Sequence, residues 1–217
     1  MKPLKWAIVS LSVFLIFSVM VVAGVYAQTD QIITITIQKY LTKSLDTPLS
    51  ALSLLGSVEV TGLVLLTTLF FLKFRRGLIA LFMFAFGTGI ELLGKIFLYH
   101  PGPPNIFFRY NLDVLFPSAY VQTGHSFPSG HSFRTAFLAL LVSYLIYQSK
   151  KLSSQSKKIL SFLCFLFLFL MLISRVSLGE HWTTDVIGGL LLGISFSSFT
   201  IYILEKKALH PKFLRPL

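Results

Sequence analysis

The feature that most constrains this chain is a series of long apolar runs separated by shorter polar segments. A helix needs about 17–25 predominantly apolar residues to cross a hydrocarbon layer roughly 30 Å thick. Six runs approach or meet that length, and a lone strand cannot satisfy its backbone in lipid, so we predict six transmembrane helices. The predicted spans are 6–27, 49–72, 78–98, 132–147, 159–173 and 186–204.

The composition also indicates a membrane protein. Of the 217 residues, 54% are hydrophobic and only 12% are charged, whereas soluble domains carry about 25% charged residues. This argues against an ordinary soluble enzyme, a disordered regulator and a nucleic-acid-binding domain, although the net charge is +11. We therefore predict one compact all-α membrane domain over residues 1–217, with no nucleic-acid partner.

The positive charges are distributed unevenly among the predicted loops. Thirteen of the 19 Lys and Arg residues precede span one, follow span six, or lie between spans two and three or four and five. Because cytoplasmic loops are enriched in Lys and Arg, we predict cytoplasmic termini and outward-facing segments 28–48, 99–131 and 174–185. An alternative treats the first apolar run as a signal peptide that is cleaved near Ala27.

Polar residues of catalytic type cluster on the predicted outward side in the segments 95–104, 127–134 and 174–185. Each segment lies where a loop meets a span, so the three can converge on one membrane face. Residues 128–131 are Pro-Ser-Gly-His and read as a turn that enters a helix. The serine hydroxyl and the first backbone amides of such a helix form an anion site. The histidine can act as an acid or a base near neutral pH.

The third segment pairs a histidine with a carboxylate. His181 and Asp185 are spaced i, i+4, so they share one face if a helix begins near Glu180. The carboxylate can then bond one ring nitrogen and leave the other free to attack. Lys95 and Arg175 supply cations for phosphate oxygens. Two histidines, two cations and no carboxylate cluster favour phosphoryl transfer through a phosphohistidine over a two-metal hydrolase, so we expect neither metal nor cofactor.

The sequence at these positions resembles the type 2 phosphatidic acid phosphatase (PAP2) family, whose signature has three motifs. The second motif, Pro-Ser-Gly-His, matches in full at 128–131. The third, Ser-Arg-x5-His-x3-Asp, matches in full at 174–185. The resemblance covers about residues 50–205 and implies a six-transmembrane helical bundle of the PAP2 or vanadium haloperoxidase-like type.

The first motif is incomplete in this chain. The family has Lys-x6-Arg-Pro, which here reads as Lys95, six residues, and then Gly102 followed by proline. Gly102 therefore stands where the family has an arginine. We expect Arg134, in the first turn of the fourth span, to replace the missing cation, with Arg109 as the second candidate.

The resemblance also implies a role for each matching residue. His181 would be the nucleophile that forms a phosphohistidine, and Asp185 would orient it. His131 would protonate the leaving oxygen and later activate water. The groups implied to hold the phosphate oxygens are Lys95, Ser129, the Gly130 amide and Arg175.

The resulting prediction is a metal-independent lipid phosphatase of the cell membrane, with its active site on the extracytoplasmic face. The family's range makes undecaprenyl diphosphate, phosphatidylglycerol phosphate, phosphatidic acid and a lipid A phosphate the candidate substrates. Two other functions stay open: a lipid phosphotransferase that uses the same intermediate, and a non-catalytic or transport protein on the same scaffold. The residues select neither one lipid nor an oligomeric state.

Several polar or small residues outside the motif positions are expected to be structural. Glu91 lies four residues before Lys95, which predicts an i, i+4 ion pair. His100 and His125 are expected to be solvated loop histidines. Gly189-x3-Gly193 in the sixth span predicts close helix packing.

Overall fold

A computed structural model of the chain describes residues 2–69, 74–114, 116–117 and 124–208. The described residues form eight α-helices and two short 3-10 turns, with no strand among them. The helices are α1 (Lys2–Val22), α2 (Ala27–Tyr40), α3 (Asp46–Leu54), α4 (Val58–Leu69), α5 (Phe74–Phe97), α6 (Gly130–Gln148), α7 (Ser154–Ser177) and α8 (Thr183–Ala208). The all-α prediction is confirmed for this part of the chain.

Five of the six predicted spans coincide with a single helix each, namely α1, α5, α6, α7 and α8. α1 ends before the predicted boundary because the chain turns at Gly24, whose φ is +73°, a conformation that glycine adopts without steric cost. By length and composition, α1, α5, α7 and α8 are able to cross a membrane. The chain is thus a multi-pass membrane protein, but six spans are not confirmed.

The second predicted span is not one continuous helix. It divides into α3 and α4, which are bent by 50° relative to each other, and its end at 70–72 lies outside the described residues. The break lies at Gly56, where an added Cβ would approach the Cδ2 of His131 to 2.7 Å. Ser57 caps the N-terminus of α4, because its Oγ accepts a hydrogen bond from the amide of Val60 at 3.2 Å.

The predicted outward segment 28–48 is largely helical rather than a loop. α2 covers most of it and turns Asp30 and Thr34 into the protein. The Asp30 carboxylate accepts hydrogen bonds from Thr184 at the start of α8. α2 therefore covers the end of the bundle where α8 begins.

α6 lies at the centre of the bundle and packs against α5, α7 and α8. Nearly every residue in its first three turns is buried. α8 packs closely against α6 at two of its glycines. A Cβ added to Gly189 would clash with the carbonyl oxygen of Ser129, and one added to Gly193 would lie 2.6 Å from the carbonyl oxygen of Phe133. The predicted close packing at these glycines is confirmed. It brings the first turns of α6 and α8 side by side.

Candidate active site

The Pro-Ser-Gly-His turn and the His-x3-Asp segment meet where α6 and α8 begin. The backbone amide of Ser129 donates to the backbone carbonyl of Asp185 at 2.9 Å. The loop before α8 is fixed as well, because the amides of Glu180 and His181 donate to the carbonyl of Arg175 at 3.1 and 3.2 Å. The structure thus brings the second and third motifs together.

His181 and Asp185 form the expected pair. The Nδ1 of His181 lies 3.3 Å from the Oδ2 of Asp185, and the backbone amide of Trp182 donates to the same oxygen at 2.9 Å. The Asp185 side chain is fully buried, and His181 is only 7% exposed. With its Nδ1 hydrogen directed at the carboxylate, the imidazole keeps the Nε2 lone pair for another reaction.

Burial sets the protonation of His181. Removal from water lowers the pKa of its imidazole below the usual value, although the hydrogen bond and the charge of Asp185 act in the opposite direction. The imidazole is therefore neutral at neutral pH, which is the state that a nucleophile requires.

A cavity of about 410 Å³ opens beside this pair. Its lining combines residues of the first and third motifs with residues from the segment before α6. They are Lys95, Gly102, Gly124, His125, Ser126, Glu180 and His181. The position of the missing family arginine therefore faces the same cavity as the His181 imidazole.

The cations around this cavity are each paired with a carboxylate. Lys95 Nζ lies 2.7 Å from Glu91 Oε1, so the predicted ion pair is confirmed. Arg175 Nη1 lies 2.5 Å from Glu180 Oε2 and also donates to the hydroxyl of Ser53. Removing one partner of a buried ion pair strongly destabilises a protein, so the carboxylates stabilise these cations, while Arg175 Nε has no hydrogen-bond partner among the described residues.

Arg134 lies beneath Gly130, outside the set of residues that line the cavity. Its Nη1 is 3.6 Å from Glu91 Oε2, and its Nε donates to the Gly56 carbonyl at 3.2 Å. A Cβ on Gly130 would lie 2.6 Å from Arg134 Nη1 and 2.7 Å from Glu91 Oε1. The guanidinium thus adds its charge directly under the Pro-Ser-Gly-His turn.

Arg109, the second candidate for the missing cation, is engaged elsewhere. It forms an ion pair with Asp46 at 2.5 Å and donates to the carbonyls of Gln38 and Leu41 at 3.1 and 3.0 Å. These contacts tie the loop after α5 to the segment between α2 and α3. The expectation that Arg109 replaces the arginine is therefore wrong, because Arg109 does not line the cavity and is held at this junction instead.

Two further motif residues lie next to these groups. Ser129 is fully buried, and its hydroxyl has no hydrogen-bond partner among the described residues. A buried hydroxyl usually has a partner, which makes the unpartnered Ser129 hydroxyl unusual at this turn. The groups near enough to act electrostatically on His131 are Arg175, Arg134, His181 and Lys95.

The two loop histidines are not simply solvated, contrary to expectation. His100 Nδ1 bonds Asp185 Oδ1 at 2.8 Å, a shorter contact than that of His181. His125 is half-buried, lines the cavity and packs edge-on against Tyr99 with ring centroids 5.2 Å apart. The sequence contained one indication that His100 belongs to the site, because His100 lies within the six-residue spacer of the first motif.

Among the described residues, no group of three or more His, Cys, Asp or Glu side chains is arranged to hold a metal ion. The site instead offers imidazoles, paired cations, a buried hydroxyl and a helix N-terminus. This set of groups can bind a phosphate and attack it at phosphorus.

Comparisons with known proteins identify similar sequences and folds. The profile of the PAP2 superfamily matches residues 60–209. Two relatives carry the name phosphatidylglycerophosphatase B. The one from Bacillus subtilis (strain 168) is 37% identical over 73 residues, which are 34% of this chain and 36% of the relative. The one from Haemophilus influenzae is 35% identical over 106 residues, 46% of this chain and 43% of the relative. The chain thus spans less than half of either relative.

Two solved structures share the fold. The first is the crystal structure of a transmembrane PAP2-type phosphatidylglycerolphosphate phosphatase from Bacillus subtilis. It has a TM-score of 0.75 at 22% identity and covers 92% of this chain and 96% of its own. The second is Aquifex aeolicus LpxE, with a TM-score of 0.57 at 24% identity, covering 78% of this chain and 93% of its own.

Proposed function

The chain belongs to the PAP2 superfamily, and from that premise we propose that it hydrolyses a phosphate monoester or diphosphate of a membrane lipid. The observation that carries the proposal is a cavity that both Lys95 and His181 line, at one end of an apolar helical bundle. A lipid phosphate has its reacting group at the membrane surface and its chains in the bilayer, so a site at this position suits it.

We propose a reaction in two displacements. His181 Nε2 attacks phosphorus, the bond to the leaving oxygen breaks, and His131 gives that oxygen its proton. Asp185 orients His181 and stabilises the positive charge that develops on its ring. His131 then removes a proton from water, which attacks the phosphohistidine, releases inorganic phosphate and restores both histidines.

The phosphate oxygens are proposed to bind Lys95, Arg175, the Ser129 hydroxyl and the Gly130 amide. Preorganised donors, whether cations or neutral N–H and O–H groups, are effective where negative charge develops in the transition state. Arg134 is proposed to act through its charge, from beneath the Gly130 turn, and so to compensate in part for Gly102. Glu91 and Glu180 hold the cations until the phosphate replaces their contacts.

We propose that residues 1–217 form a single domain with six crossings, cytoplasmic termini and the active site on the extracytoplasmic face. The bent pair α3–α4 then counts as one crossing, and α6 as another. α6 has 19 residues, or about 28 Å at 1.5 Å per residue, close to the hydrocarbon thickness. Its first three turns are mostly buried among the other helices, so they need no apolar face towards lipid.

The test is phosphate release by the purified protein in detergent with EDTA present. We expect release from at least one of phosphatidylglycerol phosphate, undecaprenyl diphosphate, phosphatidic acid and a lipid A phosphate. Phosphatidylglycerol phosphate is tested first because two relatives are named phosphatidylglycerophosphatase B. Replacing the nucleophile (His181→Ala) is expected to reduce release at least about 1000-fold.

Three results would count against this function. Dependence on a divalent metal, or activity that survives His181→Ala, contradicts the phosphohistidine mechanism. Transfer of the phosphoryl group to an added lipid or sugar, without free phosphate, identifies a phosphotransferase instead. No turnover of any of the four lipids favours a non-catalytic or transport role for the same scaffold.

A further inference from the structure

We propose that His100 is a positioning residue that fixes the Asp185 carboxylate from the side opposite His181, with Asp30 as its outer anchor. The proposal rests on the function proposed above. Its central observation is that Asp185 lies between two imidazoles: His100 Nδ1 contacts Oδ1 at 2.8 Å, and His181 Nδ1 contacts Oδ2 at 3.3 Å.

The His100 ring is itself held in place by the loop before α6. Its backbone carbonyl accepts hydrogen bonds from the Ser126 amide at 2.9 Å and from the Ser126 hydroxyl at 3.1 Å. Its ring packs edge-on against the buried ring of Phe127, with centroids 6.2 Å apart and planes at 83°. Held in this way, the ring places Nδ1 2.8 Å from Asp185 Oδ1 and 3.4 Å from the Ser126 hydroxyl, so the carboxylate is its nearer partner.

Asp30 lies on the side of the His100 ring that faces away from Asp185. Its Oδ2 lies 4.0 Å from His100 Nε2, across the ring from Asp185. The Asp30 carboxylate also accepts from the Thr184 amide at 2.9 Å and from the Thr184 hydroxyl at 2.5 Å. Asp30 thus anchors the helical turn that carries Asp185. It belongs to α2, which lies outside the region 60–209 that matches the family.

These contacts leave Asp185 no freedom to rotate. Oδ1 accepts from His100, while Oδ2 accepts from His181 and from the Trp182 amide. Rotation of the carboxylate would break at least one of these hydrogen bonds in a fully buried site, and a buried oxygen without its donor is unfavourable. Holding Oδ2 towards His181 fixes the plane of that imidazole and hence the direction in which Nε2 attacks.

The experiment compares His100→Ala with His100→Asn in the full-length protein in detergent. The asparagine amide nitrogen takes nearly the position of Nδ1 and can still donate to Asp185, whereas alanine cannot. We expect His100→Ala to lower kcat about 10- to 100-fold, as removal of an outer partner of an oriented histidine does. The KM should change little, and His100→Asn should recover most of kcat.

A second measurement does not depend on turnover. In protein labelled with 15N in its histidine rings, the His181 signals report whether Nδ1 or Nε2 carries the hydrogen. We expect the Nδ1–H form to dominate in the wild type and in His100→Asn, and to lose population in His100→Ala. Asp30→Asn, whose amide oxygen still accepts from Thr184, should give a smaller shift because Asp30 lies 4.0 Å from the ring.

Two outcomes would overturn the positioning role. One is an unchanged His181 tautomer in His100→Ala. The other is a His100→Asn variant that is folded, by size-exclusion profile and melting temperature, yet as impaired as His100→Ala. A wild-type protein that releases no phosphate from any lipid defeats the proposed function alone, because the nitrogen signals still decide whether His100 orients the pair.

Discussion

Restoring an arginine at Gly102 is the most direct test of how this cavity binds phosphate. Gly102 lines the cavity together with Lys95 and His181. An added Cβ would lie 3.5 Å from the Cβ of Ser126, which is ordinary van der Waals contact. Gly102 is also not among the described glycines with positive φ, so its backbone conformation accepts a side chain. The substitution Gly102→Arg therefore adds a cation without a steric conflict at its first atom.

The expected gain follows from the strength of one charged contact. A hydrogen bond to a charged group contributes about 1.5–3 kcal/mol, which corresponds to about 10- to 150-fold in kcat/KM if it forms in the transition state. Glu180 lines the same cavity and offers the new guanidinium an alternative partner, so part of the gain is lost. We therefore expect Gly102→Arg to raise kcat/KM about tenfold.

The assay is steady-state phosphate release from whichever lipid the wild type hydrolyses best. Gly102→Ala and Gly102→Gln serve as matched controls, because they add bulk and a neutral donor without charge. Gly102→Ala should match the wild type, because it adds no donor. Gly102→Gln should gain less than Gly102→Arg, since a neutral hydrogen bond contributes about 0.5–1.5 kcal/mol and one to a charged group about 1.5–3 kcal/mol.

A Gly102→Arg variant that is no more active than Gly102→Gln would refute this reasoning. It would mean that the cavity already has the positive charge that phosphate binding requires. A double-mutant cycle then identifies the source of compensation. If the charge of Arg134 already compensates, Arg134→Gln should cost more activity in the wild type than in the Gly102→Arg background. Equal losses in the two backgrounds would contradict compensation by Arg134.

The pH dependence, the helix packing and the paired cations give three more predictions. Burial lowers the pKa of His181, so the acid limb of the kcat/KM profile should lie below the usual histidine value of about 6.5. As the pH falls, His181 is protonated in the unfolded chain before it is protonated in the folded protein, so the free energy of unfolding should decrease below about pH 6.5. An acid limb of kcat/KM above about pH 6.5 would contradict the assignment of that limb to His181. Gly193→Ala should lower the melting temperature, because its Cβ would lie 2.6 Å from a backbone carbonyl oxygen of α6, at a cost of about 1–3 kcal/mol. Gly62→Ala is its control, since nothing lies within 4 Å there; equal melting temperatures would refute the packing argument. Glu180→Gln should free Arg175 and strengthen the binding of inorganic phosphate about fivefold, as expected for about 1 kcal/mol of removed repulsion; isothermal titration that shows weaker binding would mean that Glu180 mainly holds Arg175 in place.

The helices were largely predictable because their signal is local. Apolar runs and glycine spacing located α5, α7 and α8, and the i, i+4 spacing predicted the pairs Glu91–Lys95 and His181–Asp185. The break between α3 and α4 was not predictable, because Gly56 continues an acceptable helical pattern by itself. At the break Gly56 lies close to His131, 75 residues away in the chain, and neither hydropathy nor spacing encodes that contact.

The same distinction applies to the site. Motif residues were found by their spacing, while their partners come from far along the chain: His100 is 85 residues from Asp185, and Asp30 is 154 residues from Thr184. A loop histidine followed by proline carries no local sign of burial, so it reads as solvated. Only the packing of α2 and the loop after α5 over the start of α8 gives His100 its place.

The paired carboxylates give the missing arginine its significance. Three cations, Lys95, Arg134 and Arg175, are paired with two carboxylates, Glu91 and Glu180, so most of their positive charge is compensated within the protein. Because buried cations without partners would destabilise the fold, the carboxylates are needed when no phosphate is bound, and they oppose it when it binds. A dianionic phosphate therefore meets cations whose charge is already largely compensated, and an arginine at the cavity wall adds a positive charge. The gain expected from Gly102→Arg should accordingly be larger for a phosphate dianion than for its monoanion, and so should increase as the pH rises from about 5.5 to 7.5, across the second phosphate pKa near 6. A gain that is constant across this range would mean that geometry, rather than charge, limits phosphate binding.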